Sequence, residues 1–152
     1  EFQIKLSKLH VDQFEIIRTL YSKLIQAEKP LEYLMRPIKL NPIKTQEEIV
    51  NEVVEKGNAF FDYFVENEIL IKEDTSELIR KIRECYFKVW NTYSAKQFMG
   101  ESISGEKKVE LIKDMNKAYE EVLQDEMQVL KNKLKEDFRT QIGVVEKKSP
   151  LS

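Results

Sequence analysis

The densest chemistry in this sequence lies between Arg80 and Phe98. There Arg80-Lys81-x-Arg83-x-x-Tyr86-Phe87-Lys88-x-Trp90-x-x-Tyr93 is followed by Lys96 and Phe98. Interleaved cations and aromatic rings can neutralise phosphates and stack on unpaired bases. They can equally form an exposed contact with another protein. At about 100° per residue, Tyr86 and Tyr93 fall on the apolar side of a helix and Trp90 at its edge, which assigns them to a core. Phe87 points away, together with Arg80 and Arg83. A surface cation–π pair between Arg83 and Phe87 would account for it. So would a partner contact through Arg80, Arg83, Phe87 and Phe98. The chain carries a net charge of -2, so no global basic field draws it onto nucleic acid. A protein partner or self-association is therefore preferred, with a nucleic-acid-associated protein using the patch 80–98 as the alternative.

Other reactive arrangements fail on residue type or spacing. The single Cys and single His exclude an internal disulfide, Cys-rich zinc sites and most nucleophile–His chemistry. The four glycines, at 57, 100, 105 and 143, offer no phosphate loop, which needs Gly-x4-Gly-Lys-Ser/Thr. Di-iron helical proteins need Glu-x-x-His, whereas Ser7 stands three residues before His10. His10 also precedes every arginine, which removes an Arg-x4–6-His nuclease. Paired carboxylates at Glu120-Glu121 and Asp125-Glu126 read as solvent-facing, and only burial would make them acids or bases. Cys85 falls mid-helix on the apolar side and reads as an inert core thiol. The sequence therefore predicts no catalytic residue, no metal and no cofactor; an enzyme would require at least two acidic groups converging in an internal pocket.

The elements that must position these residues are helical. Leu6, Leu9, Phe14, Ile17, Leu20, Tyr21, Leu24 and Ala27 mark one amphipathic helix, with Lys5, Lys8, Asp12, Glu15, Arg18 and Lys23 on its other side. Pro30 should end or kink it, although Leu31, Leu34 and Met35 continue the stripe. Pro37 and Pro42 mark an irregular connection from Arg36 to Lys44. Thr45-Gln46-Glu47-Glu48 is a capping box that opens a second helix. Gly57 interrupts that helix and allows close approach or a bend. Ile69 and Ile71 are expected to plug the core end in a short extended piece. A third helix carries Leu78, Ile79, Ile82, Cys85, Tyr86, Val89 and Tyr93. A flexible stretch from Gly100 to Gly105 precedes the last helix, with Val109, Ile112, Met115, Tyr119, Val122, Met127, Leu130, Leu134 and Phe138 in one stripe and Gly143 as its cap.

With 152 residues, 41% hydrophobic and 34% charged, and only four Pro, the chain suits one helical domain better than a turn-rich β fold. The predicted fold is an all-α, antiparallel four-helix bundle, elongated and up-down-up-down. Its long outer helices cover about 3–35 and 106–141, and its inner ones about 46–66 and 73–96. Residues 1–143 form the domain and 144–152 a loose tail. No run reaches transmembrane length and no signal peptide is present, which predicts a cytoplasmic location. The chain starts at Glu1 within a pattern already under way, and Phe2, Ile4 and Leu6 look unfinished. A natural start upstream, with a coiled coil or membrane-tethered stalk, is expected.

Three patches resemble a group of bacterial helical proteins. They are Leu9-His10 with Ile17, Leu20-Tyr21 and Leu24; Phe60 to Asp74 (FFDYFVENEILIKED); and Asp137-Phe138-Arg139 with Ile142-Gly143-Val144. The sequence departs from the group's pattern at Phe14, Pro30 and Lys72. The resemblance implies no assigned activity and no functional residue. It does imply an N-terminal hydrophobic or coiled-coil segment. Together these readings describe a non-enzymatic interaction or scaffold domain, the non-membrane part of a longer bacterial protein.

Overall fold

A computed structural model of the chain describes residues 2–36, 44–99 and 105–143, with side chains from Lys8 onward and none at Met99. The expected connection through Pro37 and Pro42, the stretch 100–104, the tail 144–152 and the side chains of Phe2, Ile4 and Leu6 lie outside the described residues. Every element within them is helical. α1 is Phe2–Met35, α2 Gln46–Asn67, α3 Glu73–Met99, α4 Glu106–Lys117 and α5 Met127–Gln141. A 3-10 turn, Glu68–Leu70, joins α2 to α3, and a π-helical segment, Ala118–Glu126, joins α4 to α5 without a break. No described helix is long and apolar enough to cross a membrane.

α1 runs through Pro30 to Met35, the bounds expected from the continued stripe, rather than ending at the proline. The ring removes one backbone donor and crowds the preceding turn, at a cost of about 3 kcal/mol. Just beyond it Leu31, Leu34 and Met35 are almost wholly buried, and each contributes about 1.5–3 kcal/mol. Burial outweighs the break. α2 opens as its capping box requires: the Glu48 backbone N–H donates to Thr45 Oγ1 at 3.2 Å. Gly143 closes the chain's last helix at φ 80°, donating to the Thr140 carbonyl at 3.2 Å. Only glycine adopts that left-handed geometry without strain.

The expected single helix over 106–141 is corrected in two respects. Its middle turns are wider than α: the Met127 N–H donates to the Val122 carbonyl, five residues back. The buried residues obey that wider pitch, with Ala118 followed by Leu123 and Val122 by Met127. Ahead of the segment the stripe is not enclosed, because Val109 and Ile112 remain about half exposed. The extended plug holds at Ile71, whose backbone is extended and whose side chain packs against the core, but is corrected at Ile69. The chain forms a 3-10 turn whose Ile71 N–H donates to Glu68, leaving Ile69 in solvent and Ile71 partly buried.

The buried residues form one cluster drawn from every α-helix except α4. Polar contacts set the register between elements. Gln13 Nε2 donates to the Leu70 carbonyl, and the Lys23 ammonium sits over the Tyr63 ring. The Tyr86 hydroxyl, from α3, lies 2.9 Å from the Val53 carbonyl of α2 and 3.4 Å from the Ala27 carbonyl of α1. Lys131 of α5 donates to both carboxylate oxygens of buried Glu28, at 3.1 and 3.2 Å, and Gln128 donates to one of them. At the start of α3, buried Thr75 meets Asp137 and accepts from Gln141 at 2.9 Å.

Candidate functional site

Close packing of α2 on α3 begins at Gly57. A β-carbon there would stand 2.9 Å from the Tyr86 hydroxyl and 3.1 Å from its ring. The missing side chain lets Tyr86 reach the α2 backbone. The same contact brings Phe61 against α3. Its ring meets Tyr86 edge-on at 5.3 Å and stacks on Phe87 at 5.4 Å with a 24° interplanar angle. Phe87 thus presents one face to Phe61 while 47% of it stays exposed. Phe61, Phe87 and Trp90 wall a shallow cleft of about 100 Å³ with Val53, Val54 and Gly57.

The Arg83–Phe87 cation–π pair expected from spacing is absent among the described residues; Phe87 takes Phe61 as its partner instead. A stacked ring loses water on one face at no cost to a charged group, whereas an exposed guanidinium keeps its hydration. Arg83 makes no ion pair among the described residues. Arg80 is engaged elsewhere: it bonds Glu73 at 2.8 Å and also bonds Glu68, clamping the turn between α2 and α3. Those two carboxylates, Glu73 foremost, push its pKa up. Phe98 is 91% exposed but stands eleven residues beyond Phe87, about 16 Å along the axis. The structure therefore brings Phe87 together with Val54, Phe61 and Trp90, not with Arg80 or Phe98. Spacing within α3 alone could not reveal Phe61. Adjacent Phe60 and Phe61 were the available signal, since neighbours about 100° apart on a helix turn towards different partners.

Glu120, Glu121, Asp125 and Glu126 are all exposed. Glu28 is the buried carboxylate among the described residues, and it is paired rather than converged on by a second acid. Sequence pattern held its signal, because Glu28 stands four residues after Leu24 and three before Leu31, on the apolar face of α1. No described group of His, Cys, Asp and Glu could hold a metal ion. His10 is on the surface.

Cys85 is buried, and loss of water, assisted by the charge of Glu126, pushes its thiol up to about 11. Its ordinary value is 9.0. The folded thiol therefore stays protonated where an unfolded one ionises, so this group favours folding below about pH 9 and that contribution fades as pH rises towards 11. Alkylation of native protein with iodoacetamide should stay slow between pH 8 and 10, and become fast at the same pH in denaturant. Equal rates in both states would contradict an enclosed thiol.

Comparison with protein-family models, curated proteins and solved structures finds no match.

Proposed function

We propose that this chain is a non-enzymatic helical scaffold domain that pairs with a second copy of itself through the α2–α3 face. The observation that carries the reading is Phe87, half exposed and stacked on Phe61 beside exposed Val54. A surface aromatic held rigid by a neighbour gives up little side-chain entropy on association, which suits a contact anchor. Charge favours a second copy as the occupant. α2 presents acidic side chains such as Glu55 and Asp62, whereas Arg83 of α3 is not ion-paired among the described residues. A two-fold axis across the cleft sets each acidic α2 against the other copy's α3.

The arrangement proposed for the domain is an antiparallel four-helix bundle, with the run 106–141 as its fourth member. Cross-helix partners support it, because residue numbers rise on one helix as they fall on its neighbour. Gln13 meets Leu70 while Lys23 meets Tyr63; Arg80 meets Glu68 while Tyr86 meets Val53; Tyr21 meets Phe138 while Glu28 meets Lys131. Membership of the bacterial helical group, a cytoplasmic location and an N-terminal lead-in belong to the same proposal. They rest on the three sequence patches and on patterning.

Sedimentation velocity across a concentration series tests the pairing. The chain is expected to dimerise in the micromolar range, modestly more weakly as salt screens the charges between copies, and Phe87→Asp to remain monomeric with an unchanged circular dichroism spectrum. A monomer at every concentration would sink the reading. Binding to single-stranded nucleic acid that falls steeply with salt and vanishes in Arg83→Ala would replace it with the nucleic-acid alternative.

A further inference from the structure

Two charges on the α2–α3 face have no ion pair among the described residues: Asp62 of α2 and Arg83 of α3. Asp62 is exposed and Arg83 half-buried. Neighbouring Arg80 shows what a guanidinium here does when carboxylates stand in reach, since it bonds both Glu68 and Glu73. The two helices also differ in charge. α2 carries six acidic residues against one lysine, whereas α3 carries five cations against four acids.

Contacts between α2 and α3 fix which residues stand level. Phe61 stacks on Phe87 and Glu68 bonds Arg80. Each step forward on one helix is therefore a step back on the other. Arg83 stands level with Val65, three residues from Asp62 or about 4.5 Å along the axis. Phe87 stands level with Phe61, between the exposed Val54 and Val65.

A two-fold axis lying across the helices would lay α2 on α2, acid against acid, which opposes association. An axis running along them lays α2 of one copy on α3 of the other and keeps every residue at its own level. Phe87 then enters between Val54 and Val65 of the other copy, and Arg83 comes within one turn of its Asp62. Resting on the α2–α3 pairing put forward above, we propose that a crossed Asp62–Arg83 pair, made twice in each dimer, selects a second copy of this chain as the partner. The apolar contact supplies affinity, and the two ion pairs supply discrimination against other apolar faces.

Sedimentation velocity and native mass spectrometry of Asp62→Lys, of Arg83→Glu and of their mixture test the pair. Each variant alone sets like charges together twice per dimer. Each is expected to self-pair at least about tenfold more weakly than the original chain. In an equal mixture the new lysine meets the new glutamate, and the untouched arginine meets the untouched aspartate. A heterodimer within about threefold of the original affinity is expected. A chain carrying both substitutions is expected to pair with itself and to reject the original chain. Neither side chain has an ion pair within its own chain, so circular dichroism spectra should be unchanged. Single variants that self-pair as tightly as the original chain, or a mixture that gains nothing over them, would overturn this contact and leave the Phe87-anchored dimer standing. An original chain that is monomeric at every concentration would overturn both.

Discussion

Lys131→Met is expected to destabilise the folded chain by about 3 kcal/mol, far more than the loss of a surface ion pair. Lys131 holds both oxygens of Glu28, whose side chain is 7% exposed. Removing the ammonium strands a carboxylate among Leu24, Ala27 and Leu31, with Gln128 as its remaining donor. The cost is the desolvation of an unpaired charge, so it should disappear with the charge. Glu28→Met combined with Lys131→Met is expected to return to within about 1 kcal/mol of the starting chain, because packed apolar groups replace a buried pair almost neutrally. Urea midpoints at unchanged slope measure all four corners of the cycle. If the double variant loses the sum of the two single losses, Glu28 and Lys131 act independently and the pair is not the link between α1 and α5.

Gly57→Ala is the second large effect, and its sign is the test. Helix propensity alone favours alanine by about 1 kcal/mol. Packing opposes it: the new methyl group would meet the Tyr86 hydroxyl at 2.9 Å. That ring has little room to retreat, since its hydroxyl bonds the Val53 carbonyl and its edge packs on Phe61. Overpacking of this kind costs about 1–3 kcal/mol, so a net loss of up to about 2 kcal/mol is expected. Tyr86→Phe, which removes the nearest atom, should cost less in the alanine background than in the original chain. A gain in stability for Gly57→Ala would show that α2 and α3 are not in contact at this point.

Much of the fold was legible because it is local. Apolar residues at helical spacing locate the helices, Thr45 and Glu48 mark a start, and Gly143 marks an end. Gly57 also announced a close approach or a bend, since a glycine inside a helix needs a compensating reason, and the structure shows the first. What periodicity cannot supply is the register between helices. The pairing of Phe61 with Phe87, of Glu28 with Lys131 and of Thr75 with Asp137 joins residues far apart in the chain. Each depends on how one cylinder is rotated and slid against another. Pro30 left a break, a kink and a stripe continuing to Met35 all open for a related reason: its local cost is fixed, but the burial that offsets it is decided by neighbours in space. The wide turns at 118–126 did leave a trace, in the five-residue steps from Ala118 to Leu123 and from Val122 to Met127. A reading that assumes uniform pitch passes over it.

Those wide turns divide one continuous rod into two lengths that need not keep the same phase. In a rod of constant pitch, inserting or deleting a residue inside it turns every side chain on one side by about 100° relative to the other. Here the looser winding takes up the mismatch. α4 buries no residue of its own, so its surface can be recharged while Met127, Leu134 and Phe138 go on sealing the far half, which makes it, among the described helices, the arm most open to redesign.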